Sequence, residues 1–188
     1  MNLYNFLQLF HPITPEEFQI LAEQFVGASF KKGTFLTHSG EVQKSLYFVK
    51  SGYQMSYFET DEKNTVMAFT YAPGLCAIPD SFFNQTPAQY DLYCLTDSEF
   101  DVISFEKLQQ IFDRSQNIER LFRKMTEQVL SGLIQRHLER NTLSMEERFR
   151  KFCKRSPQLL NVIPHKYLAS YLGIDATNFS KLFNKVKI

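Results

Sequence analysis

The sequence predicts an α+β protein in which a β jelly roll is followed by a long helix and a small all-α helix-turn-helix domain. Three observations carry this prediction. Short β-prone runs separated by turn residues fill residues 30–104, an amphipathic stripe without proline runs over residues 115–140, and two helical segments meet at Gly173 near the C-terminal end. We expect three domains with limits at 1–114, 115–140 and 141–188.

Two helices are predicted ahead of the strands. Residues 1–10 are apolar but have neither a positively charged first segment nor a small-residue cleavage site, so we interpret them as a helix and not as a signal peptide. Thr14 and Glu17 have the spacing of a capping box, with Pro15 at the first helical position. The second helix is expected to end near Gly27.

Six strands are predicted by runs of β-branched and aromatic residues that alternate with turn residues about every ten positions. These runs cover residues 34–37, 45–50, 54–58, 65–71, 90–95 and 99–104. Such regular, short spacing is typical of an antiparallel jelly roll or barrel. Because Tyr53, Met55 and Tyr57 share one side of their strand, we expect an interior rich in aromatic rings.

The least regular stretch lies between two predicted strands, at residues 72–89. It contains three prolines and a short helical turn at residues 80–84. Insertions of this kind often form ligand sites, because they expose backbone amides and short polar groups. The alternative is an ordinary crossover loop. The candidate effector-pocket residues are Gly74, Leu75, Asp80, Ser81, Ala88 and Gln89.

A short helix is predicted over residues 105–113 and a much longer one over residues 115–140. In the long helix one apolar stripe continues for about five turns between charged flanks. The stripe could pack on the jelly roll of its own chain, but its length and flanks favour a seam between two copies. We therefore expect a homodimer. The residues of the stripe are Ile118, Phe122, Met125, Val129 and Leu133.

The C-terminal segment has the pattern of a helix-turn-helix. Gly173 stands where a helix end requires positive φ, and Asp175 is placed to cap the following helix. Short polar side chains followed by lysine then point outward, as a helix lying in the major groove of DNA would need. A helical hairpin that only closes a domain fits the same residues. The candidate DNA-binding residues are Lys166, Ala176, Thr177, Asn178, Ser180, Lys181, Asn184 and Lys185.

The distribution of charge favours the DNA-binding alternative. Residues 136–188 hold eleven Lys and Arg against four acidic residues, a net charge of +7, whereas residues 1–135 hold ten basic and sixteen acidic residues, a net charge of −6. A basic end on an acidic body is typical of a nucleic-acid-binding protein. The overall charge of +1 conceals this polarity.

Cysteine usage and hydropathy limit the setting of the protein. Cys76, Cys94 and Cys153 are odd in number and far apart, so they form neither a disulfide framework nor a metal ligand set. No run of about 18 apolar residues exists that could span a membrane. We therefore expect a cytoplasmic protein with reduced thiols, no bound metal, no cofactor and no membrane partner.

The order of these parts resembles the Crp/Fnr (cyclic AMP receptor protein) family of bacterial transcription regulators over nearly the whole chain. The segment at residues 146–160 is most similar to Bacteroidetes-type members. The resemblance implies a cyclic-nucleotide-binding-like sensor domain, a dimer helix, double-stranded DNA as partner and RNA polymerase as a further partner. The residues that carry it are Lys32-Gly33, Ser39-Gly40-Glu41, Tyr47 to Gly52, Pro73-Gly74, Asp97-Ser98-Glu99, Ile103-Ser104-Phe105, Leu168-Ala169 and Leu172-Gly173-Ile174.

One departure from the family pattern concerns the phosphate-binding cassette. Cyclic-nucleotide-binding members have Gly-Glu followed some residues later by Arg-Ser or Arg-Thr, whereas here Leu75 follows Gly74 and the place of the arginine falls at Ala88 and Gln89. A buried phosphate without a cationic partner costs several kcal/mol. The cassette therefore disfavours cyclic AMP, and an unidentified small-molecule effector, or none, remains. The cysteine cluster of the iron–sulfur sensors in the family is also absent.

The sequence thus predicts a homodimeric transcription regulator that binds a palindromic operator with half-sites about 10 bp apart or a multiple of that distance. It does not predict an enzyme, because no paired carboxylates, activated nucleophile or metal set converge in one segment. The alternative is a ligand-binding or protein-interaction module whose helix-turn-helix has lost its DNA function. The short last helix and the lack of an outward arginine support that alternative.

Overall fold

In the part of the chain that the structure describes, eight strands form two four-stranded antiparallel sheets. The structure is a computed structural model, and it describes residues 2–60 and 64–185. The sheet orders are β1-β8-β3-β6 and β2-β7-β4-β5. This jelly-roll architecture confirms the predicted fold class. The strands are β1 (Val26–Phe30), β2 (Phe35–Thr37), β3 (Ser45–Ser51), β4 (Tyr53–Glu59), β5 (Asn64–Tyr71), β6 (Gly74–Cys76), β7 (Asp91–Cys94) and β8 (Ser98–Ser104).

Strands β1 and β6 are the two that the sequence pattern missed. β1 is held by its pairing with β8, from Val26 opposite Val102 to Phe30 opposite Ser98, and its own sequence has little β-propensity. β6 has only three residues, which pair with β3. A Cβ atom on Gly74 would lie 2.7 Å from the carbonyl oxygen of Tyr71, so this approach requires glycine. Both strands therefore depend on distant partners.

The helices begin where the capping signals place them. Thr14 with Glu17 and Ser144 with Glu147 form reciprocal capping boxes at the starts of α2 and α6. α5 continues to Thr142, two residues beyond the predicted limit, and α7 was not predicted. The helices are α1 (Leu3–Gln8), α2 (Pro15–Ala22), α3 (Pro79–Asn84), α4 (Phe105–Phe112), α5 (Gln116–Thr142), α6 (Met145–Arg155), α7 (Leu159–Val162), α8 (His165–Leu172) and α9 (Ala176–Lys185).

Both sheets are covered on both faces. Along β3, Tyr47 and Val49 pack inside the roll, while Leu46 and Phe48 pack against the helices outside it. α1, α4 and the first half of α5 cover this outer face. Helices α6 to α9, called here the C-terminal helices, cover the outer face of the other sheet. The jelly roll is thus enclosed between two helical layers.

The prediction of an aromatic interior on one side of β4 is wrong. Met55 and Tyr57 are buried, but they pack with the core of the C-terminal helices, and Tyr53 lies at the edge of the same cluster. The alternate side chains, Gln54 and Ser56, are the ones on the opposite side of the strand, and both are also buried. Because both faces of β4 are covered, the alternation of residues could not tell inside from outside.

The apolar stripe of α5 divides into two parts, which corrects the prediction of one continuous dimer seam. Ile118, Phe122 and Met125 are buried against helices and strands of their own chain, so they are not available to a second copy. Val129 and Leu133, by contrast, are about half exposed, at 50% and 47%. Only the second half of α5 therefore keeps an uncovered apolar face.

The structure also bears on the hydropathy of the helices and on the state of the cysteines. Among the described residues, no helix combines the length and the apolar character needed to cross a membrane. Cys76, Cys94 and Cys153 are free and buried. Burial raises the pKa of the Cys76 thiol to about 12, so this thiol stays protonated near neutral pH.

Candidate nucleic-acid interface

Helices α8 and α9 are joined by a tight turn at Gly173. This glycine has φ +63 and closes the end of α8, as the sequence predicted. Asp175 then accepts a hydrogen bond from the backbone N–H of Asn178 at 2.9 Å and so caps α9. Hydrogen bonds from the backbone and the side chain of Asn178 lower the pKa of Asp175, which keeps this cap ionised. The two short helices are therefore fixed to each other by local contacts.

An aromatic core holds α9 in place. Phe179 is fully buried and meets Phe149 of α6 edge to face, with ring centroids 5.4 Å apart. Phe183 and His165 extend the contact, with centroids 4.2 Å apart. Because Phe179 and Phe183 occupy the inner side of α9, its opposite side is left to solvent.

The outer side of α9 presents the short polar residues predicted for DNA. Ala176, Thr177, Ser180, Lys181 and Asn184 are all exposed. The Oγ of Ser180 donates to the carbonyl of Ala176 at 3.0 Å, so its lone pairs remain available. Of this set, Lys181 is the one cation and has no ion-pair partner among the described residues.

Three other predicted residues are engaged within the protein. Asn178 is half-buried, and its amide bonds the Asp175 carboxylate. Lys185 donates to Glu146 at 3.2 Å, and hydrogen bonds from Arg150 and Lys185 lower the pKa of Glu146. Lys166 is exposed above the ring of Tyr167. The structure therefore places five of the eight predicted residues on the exposed side of α9, whereas Asn178, Lys185 and Lys166 contact other residues of the protein.

The C-terminal helices dock on the edge strand β5 of the jelly roll. The Ser170 hydroxyl accepts from the backbone N–H of Val66 at 3.0 Å and donates to the carbonyl of Asn64 at 2.8 Å. Phe69 packs on Tyr171 with ring centroids 5.2 Å apart. Side-chain bonds thus replace the strand partner that an edge strand lacks.

A β-bulge adds a further connection at this edge. Ser56 pairs with Ala68 and Tyr57 with Val66, so Met67 has no partner across the strands. Its carbonyl accepts a hydrogen bond from Arg136 of α5 at 3.0 Å. The jelly roll, α5 and α8 are therefore linked at one place.

The second half of α5 carries an exposed apolar face. The residues of this face are aliphatic, yet each is about half exposed. Their spacing of i, i+1, i+4, i+5 and i+9 places them on one broad side of the helix. Helices of monomers normally bury such a face. These residues are Val129 (50% exposed), Leu130 (56%), Leu133 (47%), Ile134 (53%) and Leu138 (50%).

The predicted effector-pocket residues lie in different surroundings. Ser81 is fully buried; its hydroxyl accepts from the N–H of Gln43 and donates to the carbonyl of Thr86. Ala88 is buried in the core of the roll, and Asp80 accepts from the hydroxyl of Tyr90.

The remaining three residues of this set also diverge. Gly74 lies in β6 against the Tyr71 carbonyl, and Gln89 is exposed. Leu75 lines a small apolar groove together with Phe83 and Val129. The structure therefore does not bring the six predicted residues together around one cavity.

Comparison of the chain with solved structures shows its fold. It is similar to the catabolite activator protein of Thermus thermophilus at 20% identity over 94% of this chain and 84% of that chain, with a TM-score of 0.59. FixK2 of Bradyrhizobium japonicum is similar at 15% identity over 86% and 83% of the two chains, with a TM-score of 0.73. A Crp/Fnr family protein of Eubacterium rectale is similar at 16% identity over 92% and 82%, with a TM-score of 0.70. The resemblance to Crp/Fnr regulators is confirmed in the fold.

A comparison with protein families gives a match over the jelly roll. The model named cyclic nucleotide-binding domain matches residues 28–115. No curated protein matches the sequence of the chain. Within the matched residues, Leu75 and Ala88 are apolar, and the sequence holds no lysine or arginine between Lys63 and Lys107.

Sequence reasoning missed the residues that join the jelly roll to the C-terminal helices. Ser170 and Tyr171 have the local pattern of ordinary members of an amphipathic helix, and Arg136 continues the stripe of the long helix and counts in the basic excess. A signal did exist, because Tyr167 and Tyr171 widen the apolar face that Leu168 and Leu172 form on α8, and Ser170 lies at the edge of this face. A helix face of this width can pack against two neighbours.

Proposed function

We propose that this chain is a cytoplasmic, homodimeric transcription regulator that binds DNA through α8 and α9 as a helix-turn-helix. The single observation that carries the proposal is the exposed side of α9, where the side chains of Thr177, Ser180 and Lys181 face solvent on a helix that Phe179 anchors from its buried side. A recognition helix needs such an arrangement, because only side chains not engaged in packing can reach base edges and phosphates.

The charge of the C-terminal end supports this proposal. Residues 136–188 carry a net charge of +7 while the rest of the chain carries −6. Lysines and arginines that neutralise phosphates release condensed counterions, and this release supplies much of the affinity for DNA. The Crp/Fnr-like fold supports the same conclusion.

The exposed apolar face of α5 supports the dimer. Val129, Leu133 and Ile134 would meet the same residues of a second copy, since a two-fold axis places identical surfaces opposite each other. A dimer would also present two copies of α9, which predicts an operator with two-fold symmetry.

We also propose that the jelly roll senses a signal other than cyclic AMP. Ser81, the buried polar residue of the candidate set, already has both a donor and an acceptor partner inside the protein. The stretch between Lys63 and Lys107 offers no cation for a cyclic phosphate.

Selection of genomic DNA fragments by the purified full-length protein, followed by titration of the best fragment, tests the proposal. We expect a motif with two-fold symmetry whose affinity falls steeply with salt concentration and does not change when cyclic AMP is added. Lys181→Glu should weaken DNA binding at least tenfold, because it removes a contact to a DNA phosphate and places a negative charge near the negatively charged DNA backbone. Lys107→Glu is the matched control, since it makes the same charge change on the exposed side of α4.

Recovery of no motif, or equal affinities for the Lys181→Glu and Lys107→Glu proteins, would contradict the proposal. The chain would then be a ligand-binding or protein-interaction module with a helix-turn-helix that no longer reads DNA. The bond from Lys185 to Glu146, which occupies a second cation of α9, is the observation that favours this second function.

A further inference from the structure

An arginine-lined crevice opens where the jelly roll, α5 and the C-terminal helices meet. Its volume is about 260 Å³. β5 forms one wall with Thr65 and Met67, and Tyr171 of α8 forms another. Four arginines reach it from two helices, and we call this site the arginine crevice. They are Arg136 and Arg140 of α5 and Arg148 and Arg155 of α6.

The arginine crevice has an excess of positive charge. Of the described residues that line it, four are arginines and one, Glu139, is a carboxylate, which leaves a net charge of +3 with His137 neutral. Glu139 is also shared with Lys151, whose Nζ lies 3.3 Å from its Oε1, while Arg155 lies 3.6 Å from its Oε2. Burial acts to raise the pKa of Glu139, but hydrogen bonds from Gln135 and Lys151 outweigh it and the pKa is lowered. The single carboxylate thus offsets little of the charge.

The four arginines differ in how much of their hydrogen-bonding capacity the protein uses. Arg148 donates to the carbonyls of Leu143, Leu172 and Gly173 and serves as a brace between helices. Within residues 2–60 and 64–185, the Arg136 side chain makes one hydrogen bond, to the carbonyl of Met67. For Arg140, the described residues supply no hydrogen-bond acceptor to its side chain, although it lies beside the Gly173 turn.

Unused guanidinium donors in a recess are suited to phosphate. A guanidinium presents five N–H donors in a planar fork that matches two oxygens of one phosphate group. Arg140 has all five available, and Arg136 and Arg155 have most of theirs. Charge-assisted bonds of this kind are the strongest that a surface recess offers.

We propose that the arginine crevice binds a small anion that carries two phosphate groups. A single phosphate would leave much of the +3 charge without compensation, whereas two adjacent groups offer enough charge and enough oxygens. The volume of about 260 Å³ lies just below the range typical of drug-sized ligands, which restricts the occupant to a small anion or to the phosphate end of a larger one.

The position of the arginine crevice gives the anion a regulatory role. It would bridge Arg140 at the Gly173 turn and Arg136 at the β5 bulge, and so hold α9 in one orientation relative to the jelly roll. The binding site stands without the proposed DNA-binding function; only this regulatory effect rests on it.

Calorimetric titration of the full-length protein with inorganic pyrophosphate at low ionic strength tests the site. We expect saturable binding of one pyrophosphate per chain. Arg140→Gln should weaken this binding at least tenfold and leave the fold unchanged, because the exposed side chain of Arg140 makes no hydrogen bond with any residue that the structure describes. Lys154→Gln is the matched control; it removes one positive charge from an exposed position of α6 outside the crevice, so the affinity should not change.

Absence of saturable binding, or equal weakening by Arg140→Gln and Lys154→Gln, would overturn the proposal. A second titration, in the presence of a short DNA duplex that the protein binds, separates a free anion from a DNA phosphate. Pyrophosphate binding that the duplex does not change supports a site for a small anion. Displacement of pyrophosphate by the duplex assigns the arginine crevice to the DNA backbone and overturns the proposal of a small-anion site. If the protein binds no DNA, the first titration still decides the anion site, so the two proposals fail separately.

Discussion

The turn between β3 and β4 lies close against the segment at the start of β8, and only glycine fits where the two meet. Gly52 has φ +91, and a Cβ atom there would lie 2.6 Å from the carbonyl oxygen of Asp97 and 2.3 Å from the Ser98 hydroxyl. The backbone oxygen cannot swing away as a flexible side chain could. Alanine at this position therefore meets both an unfavourable φ and a steric clash.

We expect Gly52→Ala to lower the free energy of unfolding by about 2 kcal/mol or more. Urea denaturation with a fixed m value measures this loss. Gly27→Ala is the control, since a Cβ atom at Gly27 meets no atom within 4 Å, and its effect should stay within about 0.5 kcal/mol. Equal midpoints for the two variants would contradict the clash.

Among the helices, α5 is the one that performs two tasks along its length. Its first half packs on the jelly roll through Ile118, Phe122 and Met125, and its second half leaves Leu133 and Ile134 uncovered. Burying a leucine contributes about 1.5–3 kcal/mol, and each change counts twice across a two-fold axis.

Leu133→Glu should therefore weaken dimerisation by roughly 3 kcal/mol or more, which corresponds to a hundredfold or greater rise in Kd. Sedimentation equilibrium gives this constant directly, and circular dichroism should show that the monomer stays folded. Gln128→Glu introduces the same charge at an exposed position on the other side of α5 and should leave the dimer intact. A wild-type monomer, or a Leu133→Glu dimer of normal stability, would argue against the seam.

At the scale of the whole molecule, the docking of α8 on β5 couples the two halves of the chain. Ser170 satisfies both the N–H of Val66 and the carbonyl of Asn64, and Tyr71 bonds Ser156 across the same junction at 3.1 Å. Removing the hydroxyl of Ser170 leaves two backbone groups of β5 without partners, which costs about 1–3 kcal/mol.

We expect Ser170→Ala to lower the stability by that amount and to speed amide exchange at Val66, as hydrogen-exchange mass spectrometry or NMR can measure. Ser131→Ala is the control, because among the described residues the exposed Ser131 hydroxyl bonds only the Glu127 carbonyl of its own helix. Protection of Val66 that does not change in Ser170→Ala would show that water replaces the hydroxyl at no cost.

Features set by neighbouring residues could be predicted from the sequence. Gly173 at a helix end and the capping boxes at Thr14 and Ser144 depend only on the local chain, and all have the expected geometry. The strand β1 and the outward orientation of Met55 depend on partners far away in the sequence. The local pattern therefore did not predict β1, and it predicted the wrong side for Met55.

The candidate sites divide in the same way. The outward residues of α9 follow from its own periodicity, whereas the arginine crevice needs α5, α6 and β5 to meet. One signal was available, because Arg136 and Arg140 are four residues apart and Arg148 and Arg155 seven apart, so each pair lies on one side of its helix. Which element each pair faces could not be known without the tertiary structure.

The cover that α8 places on β5 also bears on how the jelly roll behaves when it is cut free. A truncated protein ending before α6 would present the open edge of β5 together with Phe69, Tyr71, Met55 and Tyr57, all without their present neighbours. Exposed strand edges flanked by rings recruit strands from other molecules. The C-terminal helices thus act as a built-in protection against aggregation, and the isolated jelly roll should precipitate or form chain-swapped oligomers at concentrations where the full chain stays dispersed.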